Sequence, residues 1–189
     1  MNLLEKGFNY SDHDALLGFG EQLSAFLVSE YISFSLRLEE VQGKYIDLSH
    51  IIKGSFKSAD HVFFQALRES LIQDVFEKKE DNEILIFTGY FGRVPGGILY
   101  SIDRGYTDFM AAFLSSLLKV DRFTIFKEVD GVCSTDPSLA GKNCLLLSEL
   151  SYLEVLKMAS GGMKAVNTEA VRPAMKAEIP IEVRNILYP

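Results

Sequence analysis

Arg104, Thr107 and Asp108 place a fixed cation, a hydroxyl and a carboxylate within five residues, in the run Ser101-Ile102-Asp103-Arg104-Gly105-Tyr106-Thr107-Asp108. That run leads straight into an apolar helical pattern. Backbone N–H groups at a helix start favour a carboxylate or phosphate. Arg104 can form a bidentate pair with a substrate carboxylate, and Thr107 can donate its hydroxyl. Asp108 can orient a nucleophile or organise metal-bound phosphates. Thr107 or Asp108 can equally serve as a helix cap, a role compatible with a site.

Three other segments have suitable chemistry. Gly89-Tyr90-Phe91-Gly92-Arg93 is a glycine loop with a cation, although such loops are more often plain turns than anion cradles. The run Lys127-Glu128-Val129-Asp130-Gly131-Val132-Cys133, continued by Thr135-Asp136-Pro137, has Asp-Gly and Asp-Pro turn signals after a strand. On spacing alone, a nucleotide facing Lys127 or Asp136 and a solvated loop are equally good readings. In Gly161-Gly162-Met163-Lys164, a lysine beyond a glycine stop can reach phosphates as a point charge, but a surface lysine is commoner. The sequence contains no P-loop or dinucleotide fingerprint. His13, His50 and His61 lack metal-ligand spacing, so no metal site is expected.

The elements that must hold these segments alternate between strand and helix. Asp12 or Asp14 can cap a helix carrying Leu16, Leu17, Leu23, Phe26, Leu27 and Ile32 toward a core. Gly18 and Gly20 lie within it, which makes sense where backbone or ligand approaches closely. Phe34, Leu36 and Leu38 alternate with polar residues, which predicts a strand. A short helix is expected over Asp47–Lys53 and a longer one over Ser58–Lys79. Glu83–Thr88 reads as a strand covered on both sides, and Ile98–Ile102 as a hairpin strand. A helix follows from Thr107 or Asp108 to Leu118, then a strand over Arg122–Phe126. Ser151-Tyr152-Leu153-Glu154 is a capping-box signal for a helix ending at Gly161-Gly162. A last helix (Thr168–Ala177) and strand (Ile181–Val183) complete the pattern. The fold class is α/β, a three-layer α/β/α sandwich with a mainly parallel sheet, in one domain over 1–189. In such sheets ligands bind where loops leave the carboxyl ends of strands.

Bulk properties narrow the function classes. The 189 residues carry a formal net charge of −7 and no basic run, which argues against a nucleic-acid surface. Apolar residues make up 48% and charged residues 24%, as in globular domains. No apolar run approaches a membrane span. Cys133 and Cys144 are too few for a disulfide framework, so a soluble cytoplasmic protein with free thiols is expected.

Taken in order, the segments resemble aspartokinases of the amino acid kinase family, from about Gly18 to Pro189. Phe19-Gly20-Glu21-Gln22-Leu23-Ser24 is similar to the family's G-E-x-x-S helix, and Gly89–Arg93 to its glycine loop. Arg104, Gly105 and Asp108 match its T-L-G-R-G-G-S-D loop, with Thr107 for a serine. Val129–Val132 and Thr135–Pro137 follow its D-V-x-G-x-Y-T-x-D-P-R loop, and Glu149–Tyr152 with Glu154 its E-L-S-Y-x-E start. Gly162-Met163-Lys164 is similar to its G-A-K-V-L-H segment, and Arg172–Ala174 through Ile179–Ile181 continues in register.

The resemblance implies phosphoryl transfer from ATP, accompanied by Mg²⁺, to the side-chain carboxylate of L-aspartate, a step of lysine and aspartate-family biosynthesis. By resemblance, Glu21, Arg104, Gly105, Tyr106 and Thr107 would hold aspartate and Asp108 would order the reacting groups. Lys127, Glu128, Cys133, Ser138, Lys164 and Ala165 would line the nucleotide. Several positions depart from the pattern. Tyr106 and Asp103 replace glycines, so a ring and a negative charge enter the aspartate loop. Lys127-Glu128 replaces Thr-Asp, Cys133 a tyrosine, Ser138 an arginine and Asn167 a histidine. The family's K-F-G-G-T-S segment and its ACT domains are not in the sequence. Very weak unaided activity is therefore expected, as is a homo-oligomer or a partner supplying that segment. The competing expectation is a non-catalytic, aspartokinase-like binding or partner protein.

Overall fold

The computed structural model describes residues 10–52, 55–92, 94–102, 104–135, 144–163 and 165–188. They fall into two compact units, 1–107 and 108–189. Among the described residues no helix is long and apolar enough to cross a membrane.

In the first unit, helix α1 (Tyr10–Ser35) is followed by strand β1 (Gln42–Ile46), helix α2 (His61–Asp74), strand β2 (Glu83–Phe87) and the short helix α3 (Ile98–Ser101). β1 and β2 pair in parallel, Gln42 opposite Glu83 through Ile46 opposite Phe87. The link between them is α2, whose Phe63, Leu67 and Leu71 recur at helical spacing and are buried. The Asp60 side chain caps α2 by accepting from Val62 and Phe63 N–H.

Several expectations are corrected here. Phe34–Leu38 is not a strand: α1 continues to Ser35 and a 3₁₀ turn spans Arg37–Glu39. The alternation there is that of a fraying helix end, and the strand that does form, β1, starts with Gln-Gly and carries little pattern. Ile98–Ser101 is helical rather than a hairpin strand. Of the helix expected over Asp47–Lys53, the described residues 47–52 form only a 3₁₀ turn at Leu48–His50, with Asp47 as its cap. Asp14 lies inside α1 and caps nothing there. Its Oδ2 accepts from Ile98 N–H at 2.8 Å, at the start of α3.

The face that α1 buries is also the opposite of the expected one. Leu16, Leu17, Leu23, Phe26 and Leu27 are exposed and Ile32 is half-buried, whereas Asp14, Ala25 and Ser29 are buried. Small residues line this seam because the helix lies close to the sheet. A Cβ on Gly43 would strike the Ser29 carbonyl, and one on Gly18 would enter the Tyr90 ring. Gly20 meets nothing within 4 Å. The two helix glycines should therefore respond oppositely to alanine. Gly18→Ala overpacks a buried ring and should cost about 1–3 kcal/mol. Gly20→Ala should stabilise by up to about 1 kcal/mol through helix propensity. Thermal melts of the two variants check the signs, and a Gly18→Ala protein as stable as wild type would contradict the packing.

The second unit contains most of α4 (Tyr106–Leu118), then β3 (Phe123–Lys127), β4 (Val132–Cys133), β5 (Leu146–Leu147), α5 (Tyr152–Ser160), α6 (Thr168–Lys176) and β6 (Ile181–Asn185). β3 and β6 pair in parallel, and β4 and β5 form an antiparallel pair. The expected capping box is present: Ser151 Oγ accepts from Glu154 N–H while Glu154 Oε2 accepts from Ser151 N–H at 2.7 Å. The Tyr152 hydroxyl donates to the Ile179 carbonyl at 2.7 Å, tying α5 to the segment before β6. Phe123, Ile125, Val132, Val166, Ala170 and Val171 form the core. The class is α/β with parallel pairing between the principal strands, as the strand–helix alternation predicts.

Candidate functional site

The chemistry-bearing residues form two clusters, one in each unit. In the first unit Glu21 lies on the buried seam of α1, two turns beyond Asp14. It faces the segment leaving the carboxyl end of β2. Its carboxylate accepts from the Tyr106 hydroxyl and from Tyr90 N–H. Glu21 Oε2 is buried and has no hydrogen-bond partner. A Cβ on Gly89 would collide with this oxygen and with the Thr107 side chain, so glycine is required for the chain to pass here.

Tyr106 is itself buried. Burial first, then Glu21, pushes its hydroxyl far above the ordinary phenol range, so it remains a protonated donor. Beneath the cluster Thr88 is fully buried. Its hydroxyl accepts from Leu48 N–H at 3.0 Å and donates to the Tyr90 carbonyl at 2.7 Å, which fixes the start of the glycine loop. Gln22 Nε2 reaches Ser49 Oγ and both Asp47 oxygens at 3.3–3.4 Å. Arg104 is exposed, Gly105 buried and Thr107 half-buried.

Burial raises the Glu21 carboxyl above its usual range, and the bonds from Tyr106 and Tyr90 offset this only in part. A folded-state pKa above the unfolded value means that ionised Glu21 destabilises the fold at neutral pH. That penalty fades as pH falls through the raised pKa toward the ordinary carboxylate range. Glu21→Gln should therefore melt at a higher temperature than wild type at neutral pH, with the gap closing on acidification. A lower melting temperature for Glu21→Gln at neutral pH would contradict this. A residue that weakens its own fold is a candidate for ligand binding.

In the second unit Lys127, the last residue of β3, places Nζ 3.2 Å from Asp108 Oδ2 on the first turn of α4. Asn185 stands opposite Lys127 in the register and donates through Nδ2 to Asp130 Oδ1 at 2.7 Å. The carboxyl ends of both parallel strands thus carry polar groups, as expected of a ligand-binding rim. Glu128 is exposed, Cys133 is half-buried on β4, and Ala165 packs against the core. Arg93, Asp103, Asp136, Pro137, Ser138 and Lys164 lie outside the described residues.

Sequence reasoning singled out Glu21, Tyr106, Thr107, Lys127 and Asp108, but missed Asp14, Tyr90 N–H and Asn185. Asp14 was findable, because Asp14, Gly18, Glu21 and Ala25 recur at helical spacing as a small and polar stripe. An open depression of about 670 Å³ lined by Ser33, Arg37, Gln42 and Asn82 lies at the amino ends of β1 and β2, away from Glu21.

Comparison with known proteins bears on the family and the fold. The chain is 33% identical to the aspartokinase of Schizosaccharomyces pombe over 178 residues, which is 93% of this chain and 33% of that protein. It is 30% identical to aspartokinase 3 of Bacillus subtilis, covering 93% of this chain and 37% of that one. The chain thus spans about a third of the length of these two relatives. Crystalline E. coli aspartokinase III in complex with aspartate and ADP superposes with a TM-score of 0.72 at 26% identity, covering 94% of this chain and 38% of that one. The profile of the amino acid kinase family matches residues 2–185. With its parallel strand pairs, its glycine-lined carboxylate and the family profile over nearly its full length, the chain belongs to the amino acid kinase family.

Proposed function

We propose that this chain carries the aspartate- and ATP-binding side chains of an aspartokinase-type phosphoryl transfer. The observation that carries this reading is the buried, partnerless Oε2 of Glu21 beside Gly89 and Thr107. A desolvated carboxylate oxygen of this kind suits a substrate ammonium group, with which it forms a charge-assisted hydrogen bond. Thr107 and Arg104 would hold the substrate carboxylates, and Lys127 would meet nucleotide phosphates. Asp108 would order the reacting groups.

In the reaction, an oxygen of the aspartate side-chain carboxylate attacks the γ-phosphorus of ATP, the bond to the β,γ-bridging oxygen breaks, and ADP leaves. The product is an acyl phosphate. Such transfers depend on positioning and on charge stabilisation rather than on covalent chemistry by the protein. Mg²⁺, arriving with the nucleotide, would neutralise phosphate charge. Free thiols at Cys133 and Cys144 suit a cytoplasmic setting.

Wild-type turnover should be weak, because the Tyr106 hydroxyl hydrogen-bonds the Glu21 carboxylate and reduces the charge left on Oε2 for an ammonium group. Trapping the acyl phosphate with hydroxylamine, in the presence of ATP, Mg²⁺ and L-aspartate, tests the reading. A slow signal dependent on both substrates supports it, and robust turnover would contradict the assigned role of Tyr106. The same hydrogen bond favours a second reading, a non-catalytic binding protein. That reading requires saturable ligand binding with no hydroxamate formed.

Association with a second copy belongs to the same proposal. The outward side of α1 exposes Leu16, Phe19, Leu23, Phe26, Tyr31 and Phe34, and the helix contains no Lys or Arg. Six such side chains, exposed by 46–70% along a helix roughly 40 Å long, offer on the order of 600–800 Å² of apolar surface, near what one partner of a stable interface buries. Sedimentation should show a mass rising with concentration, and Phe19→Glu should suppress it. A wild-type monomer at every concentration would remove the association from the proposal.

A further inference from the structure

The β4–β5 pair sorts its side chains by alternation. Val132 and Leu147 face the core, which turns Cys133 and Leu146 outward. The ladder continues one step further: Ser134 N–H donates to the Leu145 carbonyl at 2.8 Å, and Leu145 N–H to Ser134 Oγ at 3.2 Å. Cys144, two residues before Leu146, therefore falls on the same side as Cys133. The two thiols are near enough to perturb each other's titration. Cys144 Sγ also lies 3.1 Å from the Thr135 carbonyl, which holds it over the hairpin. Both cysteines are free and half-buried, so small reagents can reach them. Diagonal neighbours on one face of an antiparallel pair lie about 7–8 Å apart at the backbone, with Cβ atoms closer. A disulfide usually spans about 4.4–6.8 Å between Cα atoms, so closure draws the two strands together at this end of the pair.

We propose that Cys133 and Cys144 form a reversible dithiol–disulfide pair, a modification site oxidised by low-molecular-weight disulfides such as oxidised glutathione. The Cys144 thiolate attacks one glutathione sulfur, the glutathione S–S bond breaks, and one glutathione thiolate leaves. The Cys133 thiolate then attacks Cys144 Sγ in the mixed disulfide and expels the second glutathione. Two thiol protons are released from the protein and are taken up by the two glutathione thiolates. Two electrons pass to the oxidant, leaving one intramolecular S–S bond. The neighbouring sulfur lowers the Cys144 thiol and raises the Cys133 thiol, so Cys144 is written as the first nucleophile. The pair depends only on the hairpin and stands whether or not the chain binds nucleotide.

The test equilibrates the full chain with graded ratios of reduced and oxidised glutathione. Samples are quenched in acid, alkylated with a maleimide and weighed intact without reductant. The expected result is joint loss of both alkylatable thiols in a monomeric chain without a glutathione adduct, reversed by dithiothreitol. Cys133→Ser should instead accumulate glutathione on Cys144, several-fold above wild type. Retention of both thiols at the oxidising end, a persistent wild-type mixed disulfide, or a disulfide-linked dimer would each overturn the proposal.

Discussion

Tyr106→Gly is expected to bind L-aspartate roughly ten- to a hundredfold more tightly than wild type, the equivalent of removing one competing hydrogen bond to a charged group. In the folded chain the Tyr106 hydroxyl donates to the Glu21 carboxylate, and so draws negative charge from the partnerless Oε2 that an ammonium group would meet. Glycine removes both the hydroxyl and the ring. Emptying a buried aromatic position also costs stability, on the order of 3–5 kcal/mol. Tyr106→Phe serves as the companion variant because it keeps the ring and loses only the donor. Its gain in affinity should be smaller and of the same sign. Titrations of both folded variants measure the effect. If neither binds aspartate better than wild type, Tyr106 does not weaken Glu21 as an ammonium acceptor.

The second large effect concerns Lys127 and Asp108, whose variants should move nucleotide affinity in opposite directions. With metal-free ADP, Lys127→Met should weaken binding by roughly ten- to a hundredfold, through loss of a charge-assisted bond to phosphate. Asp108→Asn should tighten it several-fold, because the carboxylate 3.2 Å from Lys127 Nζ no longer engages the ammonium. Both side chains are partly exposed, so their mutual attraction contributes little to folding and both variants should remain folded. Asp108→Asn should nevertheless abolish any hydroxamate formation, since that variant loses the group that orders the reactants. Variants that shift ADP affinity in the same direction would separate this pair from the nucleotide.

The parts of this molecule that were legible in sequence are those fixed by local chemistry. The capping box at Ser151 and Glu154, the apolar run of β2 and the apolar stripe of α2 each carry their signal within a few residues. The part that misled was α1. Its apolar side chains are the conspicuous pattern, yet close approach to the sheet selects the seam of Asp14, Gly18, Ala25 and Ser29 for burial. A stripe of large apolar residues predicts that a helix packs, but not which layer of protein covers it.

The candidate site divides in the same way. Glu21, Tyr106, Thr107, Asp108 and Lys127 could be named because residue type and order carried them. The Tyr106–Glu21 hydrogen bond could not, since it joins side chains distant in sequence and depends on how α1 lies against the segment after β2. Tyr90 N–H was equally hidden, because a backbone donor leaves no mark in residue type.

The most direct measurement is calorimetric titration of the wild-type chain with Mg²⁺–ATP and, separately, with L-aspartate. Saturable binding of one equivalent of each is expected, with aspartate the weaker ligand. A chain with intact circular dichroism that binds neither would contradict it.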